Sequence, residues 1–369
     1  MTWHVFVLVW GEAFVRRFAE LSVPFQVMAG NVPALADESS IVYHAYTDAA
    51  SAGAVAKALA PLERWCDLDV RLFDDTSARG LSDPDYKYEL QRSCLRDLAT
   101  RAADGDPIVL LDSNFALANG TLAALVDRRR QGYRAATASL LRVETETFAA
   151  RILPLLKHPA AIGARDLLRQ AMATMHPMTR AFFVDADAFT PYPSRLSWRV
   201  GDDGFLNRDF LPHPLMVPAS NALTVSQSTM DYDLALRSAG DEEIHVCNDS
   251  DEMLVVKFSD AGHHANRVSG APATTRDIGQ FLLASTNRRH RLFADVPIAF
   301  HTGDHDTRYA AARASSQILI DGAYAWIDQI AAQPSQLDAR GLMYLKSHLG
   351  PIEDFMSPQL EPAALARLS

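Results

Sequence analysis

The sequence predicts an α/β protein built on a mainly parallel sheet flanked by helices, and three observations carry that prediction. Apolar runs with strand character alternate with helical stretches through the first third of the chain, the pattern of successive βαβ units. The run Ile108-Val109-Leu110-Leu111 is apolar on both faces and hands directly to Asp112 and Asn114. Open α/β sheets place their ligands at such carboxyl ends of buried strands. Finally, 369 residues, 48% of them hydrophobic and 22% charged, are enough to bury a large core.

The elements follow in order. Residues 3–10 (Trp-His-Val-Phe-Val-Leu-Val-Trp) read as the first buried strand, and after Gly11 residues 13–21 carry apolar spacing near three and four. A second strand spans 41–47. Thr47 and Asp48 then cap an Ala-rich helix running to about residue 59. Residues 68–73 alternate with period two and make a third strand. Tyr88, Leu90, Cys94, Leu95, Leu98 and Ala102 share one helical face, which Gly105 ends. The strand at 108–111 follows, then a helix over 122–131 opened by Asn119-Gly120-Thr121 and stopped by Gly132. Another strand is predicted over 135–142 and another helix over 144–156.

Between about 176 and 230 the character changes. Proline, aromatic and Asp residues dominate and helical periodicity fades, as in substrate-binding loops. A strand–turn–strand unit is predicted over 244–258, with its turn at 248–252. From about 275 helical periodicity returns, including 309–329. These boundaries predict a catalytic domain over 1–260 and a mostly helical C-terminal extension over 261–369 packed on it.

Composition excludes several classes. A formal net charge of −10 and a pI near 5.6 argue against a nucleic-acid binder, which needs a basic face. Cys66, Cys94 and Cys247 are odd in number and far apart, so buried reduced thiols are expected rather than disulfides or a metal cluster. The apolar N-terminus lacks a basic leader and a cleavage site and is too short to span a membrane, which predicts a cytoplasmic protein with no transmembrane segment.

Four groups could carry chemistry. Asp112 and Asn114 are spaced so that both oxygen-bearing side chains can point the same way, as ligands of a hard cation such as Mn²⁺ or Mg²⁺ or as caps of the turn that follows. Asn248-Asp249-Ser250-Asp251-Glu252 is the densest acidic cluster, an exposed turn or a metal or base site, and Asp231 and Asp233 repeat its x-Asp-x-Asp pattern. His176 and His213 each precede a proline and are expected at bends, where an imidazole can bind metal, shuttle a proton, or simply hydrogen-bond backbone. His301, Asp304, His305 and Asp306 form a weaker cluster without the spacing of a zinc helix. There is no Walker loop, GxGxxG, GxSxG or kinase signature, so a diphosphate would need a metal, basic side chains such as Arg142, or helix N-termini.

The order of these segments resembles GT-A glycosyltransferases, the nucleotide-diphospho-sugar transferase fold. The resemblance lies in a first strand ending Val9-Trp10-Gly11, a strand ending at Thr47, a strand ending in the Asp-x-Asp-like Asp112-Ser113-Asn114, and then Asn119-Gly120-Thr121-Leu122. The segments 141–148, 212–217 and 248–252 are also similar to those of bacterial glycosyltransferase-like proteins. It covers roughly residues 3–260. It implies transfer of a sugar from a nucleotide diphosphate sugar to a polysaccharide or natural-product acceptor, with Trp10, Gly11, Thr47, Asp112 and Arg142 around the donor. It also implies Mn²⁺ or Mg²⁺ on Asp112, Asn114 and Asp251, with Asp249, Asp251 and His213 at the reacting centre. Asn114 departs from the second Asp of the motif, and an amide is a weaker ligand than a carboxylate. Two other readings stay open: a different metal-dependent nucleotide or phosphate enzyme on the same sheet, and a non-catalytic protein that keeps the scaffold for binding.

Overall fold

A computed structural model describes residues 1–157, 161–221, 223, 230–263, 274–304 and 307–332. His305 and Asp306 lie outside the described residues. The strands in chain order are β1 (Trp3–Leu8), β2 (Ile41–Thr47), β3 (Asp67–Leu72), β4 (Pro107–Asp112), β5 (Phe115–Leu117), β6 (Ala135–Ala138), β7 (Leu140–Glu144), β8 (Arg195–Arg199), β9 (Gly204–Asp209), β10 (His213–Pro218), β11 (Ile244–Val246), β12 (Val255–Ser259) and β13 (Ile298–His301).

The central sheet has the order β11-β6-β10-β4-β1-β2-β3. Every pairing in it is parallel except those of β10, which runs antiparallel to both neighbours. Helices cover both faces, so the strands must be apolar on both. Val5, Val7, Tyr43, Ala45, Val109 and Leu111 enter one core with Val15, Phe18 and Val55. Phe6, Leu8, Tyr46, Ile108 and Leu110 enter the other with Leu90, Leu95 and Leu98 of the helix Asp83–Ala99. This period-two division is why the first strands were legible as unbroken apolar runs.

Two small sheets lie beside it, β5-β12-β7 and β13-β9-β8. The predicted strand over 135–142 is therefore two strands in different sheets. Ser139 stands between them, and its hydroxyl donates to the fully buried carboxylate of Asp209 at 2.6 Å. Residues 244–258 do not form a hairpin either: β11 pairs with β6 in the central sheet, whereas β12 pairs with β5 and β7. A local apolar–turn–apolar pattern cannot tell a hairpin from two strands that part company.

The region expected as long connections with short strands holds β8, β9 and β10. His213 does not sit at a bend but opens β10, where the register shifts between Pro214 and Met216. A proline has no N–H to give the ladder, and a bulge accommodates it. After 275 the helices Thr275–Ser285 and Thr307–Ala331 pack on each other, and between them β13 pairs with β9. Arg208 of β9, buried at 2% exposure, ties this layer together. It donates to the Ala294 and Asp295 carbonyls, to Ser316 Oγ and to Gln317 Oε1. All three cysteines are free and buried, with burial pushing Cys66 and Cys247 up to about 12. No helix among the described residues is long and apolar enough to cross a membrane.

Candidate functional site

β1 and β4 run parallel and end level with each other, Leu8 opposite Asp112. Beyond their carboxyl ends opens a cavity lined by Leu8, Val9, Trp10, Phe14, Lys87, Gln91, Asp112, Ser113 and Asn114. Its rim is aromatic: Phe14 is 53% exposed, and Trp10 is half-buried with its ring edge-on to Phe73 at 5.7 Å. Its charged lining residues are Lys87 and Asp112. Asp112 follows the parity of Ile108 and Leu110, so it turns toward the helix Asp83–Ala99 that carries Lys87 and Gln91.

Asp112 is ion-paired with Lys257 of β12, the two side chains only 16% and 11% exposed. Burial pushes its carboxyl up, but the charges of Lys257, Lys87 and His213 outweigh burial and hold it well below the usual carboxylate range. Lys257 lies in a cross-strand row with Phe115 of β5 and Arg142 of β7, its ammonium 5.4 Å from the Phe115 ring centre. Arg142 donates to Ser259 Oγ. Loss of water around its ring, then the charges of Arg142, Lys87, Lys257 and His176, push the His263 imidazole down to about 4. A basic cluster thus surrounds Asp112 in a chain whose net charge is negative.

The other predicted residues divide between this corner and elsewhere. Asn114 lines the cavity and is locked to Phe258, its Nδ2 donating to the Phe258 carbonyl at 2.8 Å while its own carbonyl accepts from the Phe258 N–H. Gly11, with φ 80°, turns the chain into the helix Glu12–Arg17 and donates its N–H to Ser51 Oγ at 3.0 Å. Thr47 ends β2 fully buried, and its hydroxyl has no hydrogen-bond partner among the described residues. His213 is buried beneath the corner: its Nε2 contacts the Leu110 carbonyl at 2.8 Å and its ring lies edge-on to Phe115. His176 caps the short helix Pro177–Arg180 through Nδ1. Asp233 lies within the helix Met230–Ser238 and pairs with Arg237 at 2.6 Å.

Asp249 and Asp251 are not among the walls of the cavity. The chain around them pairs with β13, and His301 Nε2 contacts Asp249 at 2.9 Å and lies 3.9 Å from Asp251. One ligand atom from each of the three falls within 4.8 Å of the others, a donor set compatible with a divalent cation. Arg165 binds Asp251 at 2.9 Å and reaches Asp304 at 3.0 Å. The Asp112–Asn114 corner fits a cation poorly. Its single carboxylate already holds an ammonium, and the amide, tied to the Phe258 carbonyl through Nδ2, offers only a neutral Oδ1 in place of a second carboxylate.

Sequence reasoning missed Lys87, Gln91, Lys257 and His263. One signal was available for Lys257, the lone charge in the apolar run 253–258.

Together, fold and site define an α/β protein with a cavity lined by Trp10, Phe14, Lys87 and Asp112 at the carboxyl edge of its parallel strands. No protein-family model matches the sequence, and no curated protein matches it. Solved structures similar to it include apo mouse xyloside xylosyltransferase 1, at 12% identity and a TM-score of 0.27. That match covers 44% of this chain and 63% of the other, so the chain spans less than two thirds of that protein's length. Another is the mannosyltransferase PcManGT from Pyrobaculum calidifontis in complex with GDP-Man and Mn²⁺, at 14% identity and a TM-score of 0.31, covering 90% of this chain and 75% of the other.

Proposed function

We propose that the protein transfers a sugar from a nucleotide diphosphate sugar to a hydroxyl-bearing acceptor, with the cavity at Asp112 as the donor site. One observation carries this reading: Trp10, Phe14 and Lys87 line one cavity together with Asp112, which binds Lys257, at the sheet edge where α/β proteins bind ligands. A nucleotide diphosphate has the matching halves. Trp10 and Phe14 offer flat apolar surface to a base, and Lys87 and Lys257 offer charge to the diphosphate.

In the reaction the acceptor oxygen bonds to the anomeric carbon. The bond from that carbon to the β-phosphate oxygen breaks with its electron pair, and the acceptor proton passes to a base. The leaving diphosphate gains negative charge as the bond breaks, and preorganised cations at that position stabilise it. Of the metal ligands suggested by the resemblance, Asp112 and Asn114 stand at the donor cavity and Asp251 apart from it, and a Mn²⁺ or Mg²⁺ ion would find its ligands at Asp249, Asp251 and His301.

A thermal-shift screen with UDP-, GDP- and CDP-sugars tests the reading. At least one nucleotide sugar should raise the melting temperature, and that stabilisation should vanish in Trp10→Ala. Absence of a shift with every nucleotide would sink it. The pairing of Asp112 with Lys257 favours a second reading, a binding protein without turnover. Release of free nucleotide from the bound donor separates the two.

A further inference from the structure

The Asp-x-Asp arrangement works by lending two carboxylates to a divalent cation, which then meets the diphosphate. This chain has filled that position with its own atoms. Asp112 is held by the Lys257 ammonium, and Asn114, whose Nδ2 donates to the Phe258 carbonyl, offers only a neutral Oδ1 where the motif has a second carboxylate. A cation arriving there would have to displace a buried lysine, and it would gain one contested carboxylate and an amide.

The charge balance points the same way. Lys87, Arg142 and Lys257 set against Asp112 leave two positive charges around the corner, equal to the two negative charges of a sugar-linked diphosphate. A divalent cation in addition would over-neutralise it. The row Phe115, Lys257 and Arg142 across β5, β12 and β7 is built on sheet backbone, so its charges are fixed before any ligand arrives.

We infer that Lys257 replaces the divalent cation: its ammonium, held in place by Asp112, neutralises the diphosphate of the nucleotide together with Lys87 and Arg142, so that donor binding at this cavity is independent of metal. Asp112 is then a positioning residue for Lys257 rather than a metal ligand. This inference rests on the cavity being the donor site, as proposed above.

The test is titration calorimetry of UDP, GDP and CDP into the full chain, in EDTA and again with Mn²⁺ or Mg²⁺. Four variants accompany it: Lys257→Met, Lys257→Arg, Asp112→Asn and the double variant Asp112→Asn with Lys257→Met, each checked for an unchanged circular dichroism spectrum. The expected result is equal affinity with and without metal, a loss of roughly thirtyfold or more in Lys257→Met, and retention of most affinity in Lys257→Arg. The double variant distinguishes a ligand-binding lysine from a merely structural one. It removes both charges, so a lysine needed only to neutralise Asp112 would no longer be missed and affinity would return. We expect affinity to stay low. Binding that requires metal, or that returns in the double variant, overturns the inference while leaving the donor site intact. Binding of no nucleotide under either condition overturns the donor-site reading itself, and the inference falls with it.

Discussion

Lys257 of β12 is ion-paired with Asp112 of β4, joining residues 145 positions apart and two different sheets beside one cavity. The pair is mostly shielded from water, so it is a structural joint between the two sheets. Removing one member of a shielded pair leaves an uncompensated charge, at a cost of about 3–5 kcal/mol. Lys257→Met should therefore destabilise the protein more than Asp112→Asn with Lys257→Met, which neutralises both. Urea unfolding of the two variants checks the order.

The aromatic rim should carry binding with little effect on folding. Phe14 is largely exposed and Trp10 half-buried, so neither is a main support of the core. Stacking of a base on an aromatic ring contributes about 1–3 kcal/mol. Trp10→Ala should weaken nucleotide binding by about tenfold or more while shifting the unfolding midpoint only slightly. Equal losses of stability and affinity would argue that Trp10 is structural.

A histidine chain at the opposite, amino-terminal ends of the strands should make stability depend on pH. His4 Nδ1 meets His44 Nε2 at 3.0 Å, and His44 Nδ1 meets Asp69 at 3.0 Å. His4 Nε2 lies 3.5 Å from Asp106, and Arg71 also binds Asp69. Burial lowers both imidazoles, His44 from 6.5 to about 4, with the neighbouring His4 adding to the effect. The unfolded chain then holds more protons than the folded one between those values, so stability is full above pH 6.5 and falls as the pH drops toward 4. For His44 alone the loss is on the order of 3 kcal/mol. Urea midpoints at pH 7 and pH 5 should differ in the wild type and differ less in His44→Asn. A pH-independent midpoint would contradict this.

Gly30 should tolerate no side chain. A Cβ there would stand 2.4 Å from the backbone nitrogen of Gly120, while the Gly30 N–H donates to Asn119 Oδ1 at 2.8 Å and its carbonyl accepts from Ala123. Two backbones meet at this point, so neither can move aside cheaply. Gly30→Ala should cost about 1–3 kcal/mol, read as a lowered unfolding midpoint. The same change at Gly53, where a Cβ meets nothing within 4 Å, is the control.

Much of this architecture was legible because it rests on local pattern. β2 lies at the predicted residues, and β1, β3 and β4 differ from prediction by one or two residues at their ends: β1, β2 and β4 are buried on both faces and leave nearly unbroken apolar runs, and the half-buried edge strand β3 leaves a period-two alternation. The long-range features were not. Nothing local says that Ser139 ends one strand and that Leu140 begins another in a second sheet, because the instruction comes from Asp209, seventy positions away. For the same reason Asp112 could be singled out from its own strand, whereas its pairing with Lys257 could not. An acidic residue at a strand end has a recognisable context; a lone lysine in an apolar run stands out too, but which carboxylate it meets in another sheet is not set until the chain is folded. The cluster at Asp249 and Asp251 was visible by its density, but its companion His301 depends on the pairing of that turn with β13.

The central claim is that the cavity beyond β1 and β4 holds a nucleotide diphosphate against Lys87 and Lys257. A crystal structure of the protein with UDP, GDP or CDP, chosen by calorimetry, tests it most directly. The account predicts phosphate oxygens within hydrogen-bonding distance of both lysine ammonium groups and the base against Trp10. A nucleotide bound elsewhere, or one held through a metal ion on Asp112 and Asn114 with Lys257 displaced, would contradict it.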